Sequence, residues 1–152
     1  MGHSQRLLDY LEELREAVRE AVAPLDEAQL NTQPRGLVNT PGVLLRHLAG
    51  SEREWIHRLV GGDAYRRDRA AEFDPATPVR KDAALAELEA VARRTREILR
   101  ALPDTALDEE VVTTRAGRTM EVSKHYAILH TLAHYAYHHG QLRMHVKLIR
   151  GS

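Results

Sequence analysis

The chain of 152 residues contains no cysteine. This absence excludes disulfide bonds, thiolate metal sites and cysteine nucleophiles. Any metal ion held by this protein must therefore be bound by histidine and carboxylate side chains. The length is sufficient to bury a core without covalent cross-links, and we predict a single domain over residues 1–152.

The sequence also lacks two other features: an excess of charge of one sign, and long apolar runs. The 22 basic side chains balance the 22 acidic ones, so duplex nucleic acid is an unpromising partner. The densest cationic stretch, RRDR at 66–69, is interpreted as a solvated loop. No apolar run approaches the roughly 20 residues of a membrane span, and no signal peptide is visible. We therefore expect a cytoplasmic protein that acts on a small molecule, without nucleic acid or membrane partners.

Four long segments carry apolar residues at helical spacing. Ser4 is the predicted cap of the first segment, and Thr40 followed by proline is that of the second. The stretch DEEVVTTRAGRTMEV before the last segment is either a small hairpin or an irregular loop. The sequence predicts an all-α fold, a four-helix bundle with long crossover loops. The predicted helices span residues 4–23, 41–60, 80–102 and 123–149.

Five of the nine histidines lie within residues 130–145, HTLAHYAYHHGQLRMH. At about 100° per residue, His130, His134 and His138 share one helix face, and Gln141 and His145 fall in the same sector. The i,i+4 pair His134 and His138 can converge on one metal ion, because the two rings lie roughly 6 Å apart along the axis. The other three residues are predicted to support the ligands or to line a cavity.

A third ligand is required, and His47 of the second segment is the candidate. It shares the inward face of that segment with Leu44, Ser51 and Trp55. A lone inward histidine is usually a hydrogen-bonded core residue, and an isolated HxxxH pair is weak evidence of a metal site. An inward histidine facing such a pair is, however, how helix bundles build metal centres. The spacing leaves a metal site and a hydrogen-bonded polar seam equally open.

The remaining polar side chains near these segments are given surface positions. His57 is expected to be exposed and His125 to lie at the surface, while His139 points away from the proposed ligands. Glu52 and Glu54 follow His47 and are candidates for a general base. We interpret both as salt-bridged surface residues.

Two stretches resemble the DinB/YfiT-like superfamily, whose members have three-histidine metal sites. They are NTPGVLLRHLAGSEREWI at 39–56 and HTLAHYAYHHGQL at 130–142. The superfamily pattern has an inward histidine in the second helix and HxxxH followed by a Gly-Gln pair in the last. The matching residues of this sequence are His47, His134, His138, Gly140 and Gln141.

The resemblance implies a divalent metal, zinc or nickel foremost, bound by three histidines with open positions for water or substrate. Similar proteins include S-transferases that use mycothiol or bacillithiol and a maleylpyruvate isomerase. The predicted function is a metal-dependent enzyme that activates a low-molecular-weight thiol or water, either S-transferase-like or a hydrolase, as a homodimer. Two alternatives stay open: a non-catalytic metal- or small-ligand-binding stress-response protein, and a dimer whose histidines form a structural seam.

Overall fold

The computed structural model describes residues 1–151. Its first long helix, α1, runs from His3 to Val22. Ser4 is not its cap, which corrects the prediction, because the helix already begins at His3 and its cap position is Gly2. The Asp104 carboxylate instead accepts the backbone N–H groups of His3 and Ser4 at 2.6 and 2.9 Å. A short helix, α2 (Glu27–Leu30), follows with a capping box formed by Asp26 and Gln29.

The second long helix changes its winding halfway. Helix α3 spans Pro41–Glu52 and is capped as predicted, since Thr40 Oγ1 accepts the Val43 N–H at 3.1 Å. The chain continues as a π-helix over Arg53–Val60, in which each N–H bonds five residues back. Every residue of α3 except Arg46 is buried. The helix therefore runs through the centre of the molecule and has almost no solvent face.

The remaining elements complete the bundle. Helix α4 (Arg69–Glu72) lies in the first long crossover, α5 covers Lys81–Ala101, and α6 covers Lys124–Arg150. Between α5 and α6, strands β1 (Glu110–Arg115) and β2 (Arg118–Ser123) pair antiparallel. Of the two alternatives for this stretch, the hairpin is confirmed. Its two-residue turn, Ala116-Gly117, has left-handed φ angles of 50° and 75°, as a type I′ turn requires.

Helices α1, α3, α5 and α6 pack around one apolar core, which confirms the predicted four-helix bundle. Each of the four helices contributes core residues that are at most 1% exposed: Leu11, Leu48, Leu99 and Ile128 are examples. Between residues 1 and 151, no helix has both the length and the apolar character that crossing a membrane requires. Ser152, which belongs to the predicted domain, lies outside the described residues.

Candidate metal centre

Three histidines from two helices converge at one point. His47 projects from α3, and His134 and His138 project from successive turns of α6. The Nε2 atom of His134 lies 2.9 Å from Nε2 of His47 and 2.9 Å from Nε2 of His138. His47 and His138 are buried, and His134 is half-buried. The structure thus brings together the three residues that the sequence suggested as ligands; we call them the histidine triad.

Hydrogen bonds outside the triad fix the protonation of two of its rings. His47 Nδ1 lies 2.9 Å from Glu72 Oε1, and His138 Nδ1 lies 2.6 Å from Gln141 Oε1. Both partners are acceptors, so each Nδ1 carries the hydrogen of the neutral imidazole. The Nε2 lone pairs of His47 and His138 consequently point to the centre. Such outer hydrogen bonds orient histidine ligands in metalloproteins.

The triad cannot satisfy its own hydrogen-bonding atoms. His134 Nε2 carries at most one hydrogen, so it can donate to either His47 or His138 but not to both. Burial, together with the neighbouring histidines, lowers the pKa of His134 to about 2. Burial also lowers the pKa of His138 to about 4, although the hydrogen bond that its ring donates to Gln141 opposes this shift. The His134 and His138 rings are therefore neutral near pH 7, and the three converging Nε2 atoms fit a divalent cation.

Glu72 is a site residue that the sequence interpretation missed. Its carboxylate accepts from His47 and from Arg67, whose Nε and Nη2 lie 2.8 Å from the two carboxylate oxygens. Burial raises the pKa of Glu72, but the hydrogen bonds from Arg67 and His47 outweigh it and lower the pKa overall. The interpretation of RRDR as a merely solvated loop is wrong, because Arg67 is partly buried against this carboxylate.

A glycine in α3 makes room for Glu72. A Cβ atom at Gly50 would lie 2.3 Å from Glu72 Oε2. Glycine inside a helix costs about 1 kcal/mol relative to alanine, so the glycine of HLAG signals a close approach by another group. That signal was available in the sequence, although it does not say which residue approaches.

The triad borders an open cleft of about 950 Å³. The cleft is lined by α3 and the π-helix, by residues 65–69, by the hairpin and by α6. His130 lines it, as the sequence suggested, and its ring packs against Trp55 with centroids 4.0 Å apart and planes tilted by 35°. The centroids of His130 and His134 are 6.1 Å apart. The cleft gives a small molecule access to the exposed side of the triad.

The other two residues predicted on this face of α6, Gln141 and His145, do not line the cleft. Gln141 contacts His138, as described above. His145 is buried away from the cleft, with its ring nitrogens 2.8 Å from the backbone oxygens of Gln141 and Asn39. It therefore connects α6 to the loop before α3. His139 lies outside the triad, as predicted.

A second polar group is buried beside the triad, and it corrects two predictions. Glu52 is only 1% exposed and is not a surface residue. Its carboxylate accepts from Arg15 of α1, from Thr95 of α5 and from the Tyr135 hydroxyl of α6, the last at 2.6 Å. His57 is not exposed either: its Nε2 lies 3.1 Å from Thr95 Oγ1 and from the Val91 carbonyl oxygen. We call Arg15, Glu52, His57, Thr95 and Tyr135 the buried ionic network.

The two errors have separate physical causes. Glu52 belongs to α3, which has no solvent face toward which it could point. His57 belongs to the π-helix, which turns fewer degrees per residue than a wheel at 100° assumes. Glu54 forms an ion pair with Arg58, as predicted. His125 is partly exposed, and its Nε2 lies 3.2 Å from that of His3.

Comparison with known proteins identifies relatives of the fold. A sequence profile described as the DinB superfamily matches residues 10–142. No curated protein matches the sequence. A conserved protein from Enterococcus faecalis superposes with a TM-score of 0.76 at 17% identity, covering 100% of this chain and 99% of that one.

Two structures from Bacillus subtilis are also similar to this chain. The DinB-like protein YjoA has a TM-score of 0.69 at 18% identity, covering 93% of this chain and 90% of its own. YfiT has a TM-score of 0.61 at 20% identity, covering 97% of this chain and 84% of its own. YfiT is described as a probable metal-dependent hydrolase with an unusual four-helix bundle topology. At these identities the superpositions show a shared fold.

Proposed function

The chain belongs to the DinB superfamily, and we propose that it is a metal-dependent enzyme acting on a small molecule. The histidine triad would hold a divalent cation, zinc or nickel foremost. The observation that carries the proposal is the convergence of three Nε2 atoms that cannot satisfy one another. Three neutral imidazoles leave the full double charge on the cation. The cation would therefore lower the pKa of a bound water or thiol.

The nucleophile in this proposal is water or a low-molecular-weight thiol such as mycothiol or bacillithiol. The description of YfiT as a probable metal-dependent hydrolase supports the first choice. The absence of cysteine means that any thiol must come from outside the chain. The cleft of about 950 Å³ beside the triad has the size of a small-molecule site. The reaction would be hydrolysis or S-transfer accordingly.

We assign the role of proton acceptor to His130. Across residues 1–151, neither ring nitrogen of His130 has a hydrogen-bond partner, and the ring lines the cleft next to His134. Burial, followed by the charges of Arg115 and Arg67, lowers the pKa of His130. The ring is therefore neutral near pH 7 and free to take a proton. The one carboxylate in the cleft lining, that of Glu54, is paired with Arg58.

Metal content tests the first part of the proposal. Protein purified without a histidine tag is analysed for zinc and nickel, beside His134→Ala and the matched control His139→Ala on the same helix. We expect about one ion per chain in the wild type and the control, as a single three-histidine site requires, and almost none in His134→Ala. A wild type that contains no metal and gains no thermal stability with either ion would end the metal-site proposal.

Turnover tests the second part. Metal-loaded protein is offered activated esters, and electrophiles with mycothiol or bacillithiol, and product formation is followed. We expect His130→Gln to lower kcat by about 10²–10⁴-fold, the usual contribution of a general base, with metal content unchanged. If the metal-loaded wild type converts nothing, the proposal of catalysis fails in favour of the non-catalytic binding protein.

A further inference from the structure

Arginine is strongly over-represented in the cleft. Five of the lining residues are arginines and only one, Glu54, is acidic. Arg58 is paired with Glu54, and Arg67 with Glu72 outside the lining. Within the described residues 1–151, the other three have no carboxylate within 4.0 Å. These three, which we call the cleft arginines, are Arg66, Arg69 and Arg115.

The cleft arginines come from two separate elements. Arg66 and Arg69 belong to the crossover before and at the start of α4, and Arg115 ends β1. The guanidinium of Arg69 lies over the Phe73 ring, 4.8 Å from its centroid. A cation–π contact of this kind holds a guanidinium without using its N–H groups. Those donors are consequently available to a ligand.

The charge of one cleft arginine, Arg115, acts on His130 beside the triad. The pKa of His130 is lowered first by burial, then by Arg115 and Arg67. A chain with 22 basic and 22 acidic side chains thus concentrates uncompensated positive charge in one cleft. Trp55 supplies an apolar wall, and the triad, with a cation bound, would add further positive charge. A neutral or cationic ligand would leave this charge unpaired.

We infer that the cleft binds a small organic anion with a carboxylate or phosphate group, held by Arg66, Arg69 and Arg115. Guanidinium groups bind both kinds of oxyanion through paired N–H donors. The apolar part of the anion packs on Trp55, and the ligand extends toward the triad. That the anion is the substrate rests on the proposed function; its binding by the arginines does not require the metal.

Isothermal titration calorimetry tests the inference, with phenyl phosphate and benzoate as probes and benzyl alcohol as the neutral comparison. The test variant is Arg66→Gln/Arg69→Gln/Arg115→Gln. The matched control, Arg6→Gln/Arg93→Gln/Arg118→Gln, removes the same charge from exposed arginines outside the cleft. Zinc-loaded and chelator-treated proteins are both measured, and the stronger of the two anions identifies the preferred group.

We expect both anions to bind more tightly than benzyl alcohol and more weakly at high salt. The triple cleft variant should bind them at least about 100-fold more weakly, and the control within about twofold, since each lost charge-assisted contact costs about tenfold. Arg115→Gln alone should lose about tenfold, and Arg118→Gln, its neighbour across the turn, almost nothing.

The two proposals fail in distinguishable ways. Arginine-dependent binding in the chelator-treated protein supports the anion site even if the triad binds no metal. Equal affinity of the cleft variant and its control, or no preference for anions over benzyl alcohol, would overturn the anion site. Either result leaves the metal analysis unaffected.

Discussion

Two buried polar groups lie side by side on α3 and α6, and they are built on opposite principles. His134 of the triad and Tyr135 of the buried ionic network are consecutive residues, and His47 and Glu52 share α3. In the network, the Glu52 carboxylate accepts from Arg15, Thr95 and Tyr135. In the triad, three Nε2 atoms face one another. A buried carboxylate that accepts from three helices holds those helices together, whereas three Nε2 atoms without enough hydrogens between them are suited to a ligand.

The charges of the two groups differ in the same way. Burial lowers the pKa of Arg15, but Glu52, Tyr135 and Glu12 raise it by more than burial lowers it. The pKa is therefore raised overall, and the guanidinium stays charged. Burial and Glu52 raise the pKa of Tyr135. The network therefore keeps a charged Arg15 and a neutral Tyr135 hydroxyl, both of which donate to the Glu52 carboxylate. One donor of the network is left over: Arg15 Nε is the one buried side-chain polar atom in residues 1–151 without a hydrogen-bond partner. In the triad, burial lowers the pKa of His134 and His138, and His134 Nε2 can donate to only one of its two neighbours.

The largest expected effect is that of Glu52→Ala on stability. Removing the carboxylate takes away the buried partner of Arg15 and leaves the guanidinium with the partly exposed Glu12, and we expect a loss of about 3–5 kcal/mol in the free energy of unfolding. Urea denaturation of the metal-free protein at pH 7 measures it. Glu54→Ala is the matched control, since its ion pair with the half-exposed Arg58 contributes about 0–1 kcal/mol.

His134→Ala provides the contrast within the same experiment. In the metal-free protein it removes an imidazole whose contacts are unsatisfied, so it should cost less stability than Glu52→Ala. An equal loss in both variants would mean that the triad also holds the helices together, and the distinction between the two groups would not stand.

Tyr135→Phe is expected to cost about 1–3 kcal/mol, the penalty for leaving a buried acceptor of Glu52 unsatisfied. Its zinc affinity should equal that of the wild type, although His134 is the adjacent residue. Urea denaturation and zinc titration measure the two quantities. A tenfold loss of zinc affinity would show that the network and the triad act as one unit.

The contrast also explains what the sequence predicted. The four helices, the Thr40 cap and the convergence of His134 and His138 follow from the spacing of residues within one helix. That spacing can be read directly from the sequence. His47 faces inward as predicted, because it shares its helix face with the apolar Leu44 and Trp55. These features depend on one element at a time.

The missed features depend on how elements meet. Glu52 looked like a surface residue because periodicity does not reveal that α3 is enclosed on all sides. His57 was misplaced because the switch to a π-helix has no clear sequence signal. Glu72 and Arg67 reach the triad only because of the path that the crossover takes. Hydrophobic periodicity does not predict that path. Gly50 was the sole local sign of that approach.

Gln141→Ala sharpens the comparison from the side of the triad. It removes the acceptor of the His138 Nδ1 hydrogen, and loss of such an orienting bond typically weakens metal affinity about 10–100-fold. Gln141→Glu keeps an acceptor oxygen and should retain the affinity, as should Arg143→Ala at an exposed position of the same helix. Competition titration with a zinc chelator measures the change. Equal affinity of Gln141→Ala and wild type would contradict this role.

The smallest expected effect concerns His57, the titratable imidazole of the network. Burial lowers its pKa below about 6.5, and Arg53 does so too, while Glu52, the Val91 carbonyl and Asp63 oppose the shift. In the unfolded chain His57 therefore gains its proton at a higher pH than in the folded one. The unfolded state binds more protons below about pH 6.5, so this residue lowers the free energy of unfolding as the pH falls, and not above that pH.

His57→Gln should consequently flatten the pH dependence of stability below about pH 6.5, by at most about 1.4 kcal/mol per pH unit. Urea denaturation of both proteins between pH 5 and 8, roughly the range over which histidine titrates, measures the difference. The triad is the same in both proteins, so its own titration cancels, and the constant offset at pH 8 reports the lost contacts to Thr95 and Val91. Parallel curves would mean that the network tolerates a charged His57, so that a group which holds helices together can still accept a proton.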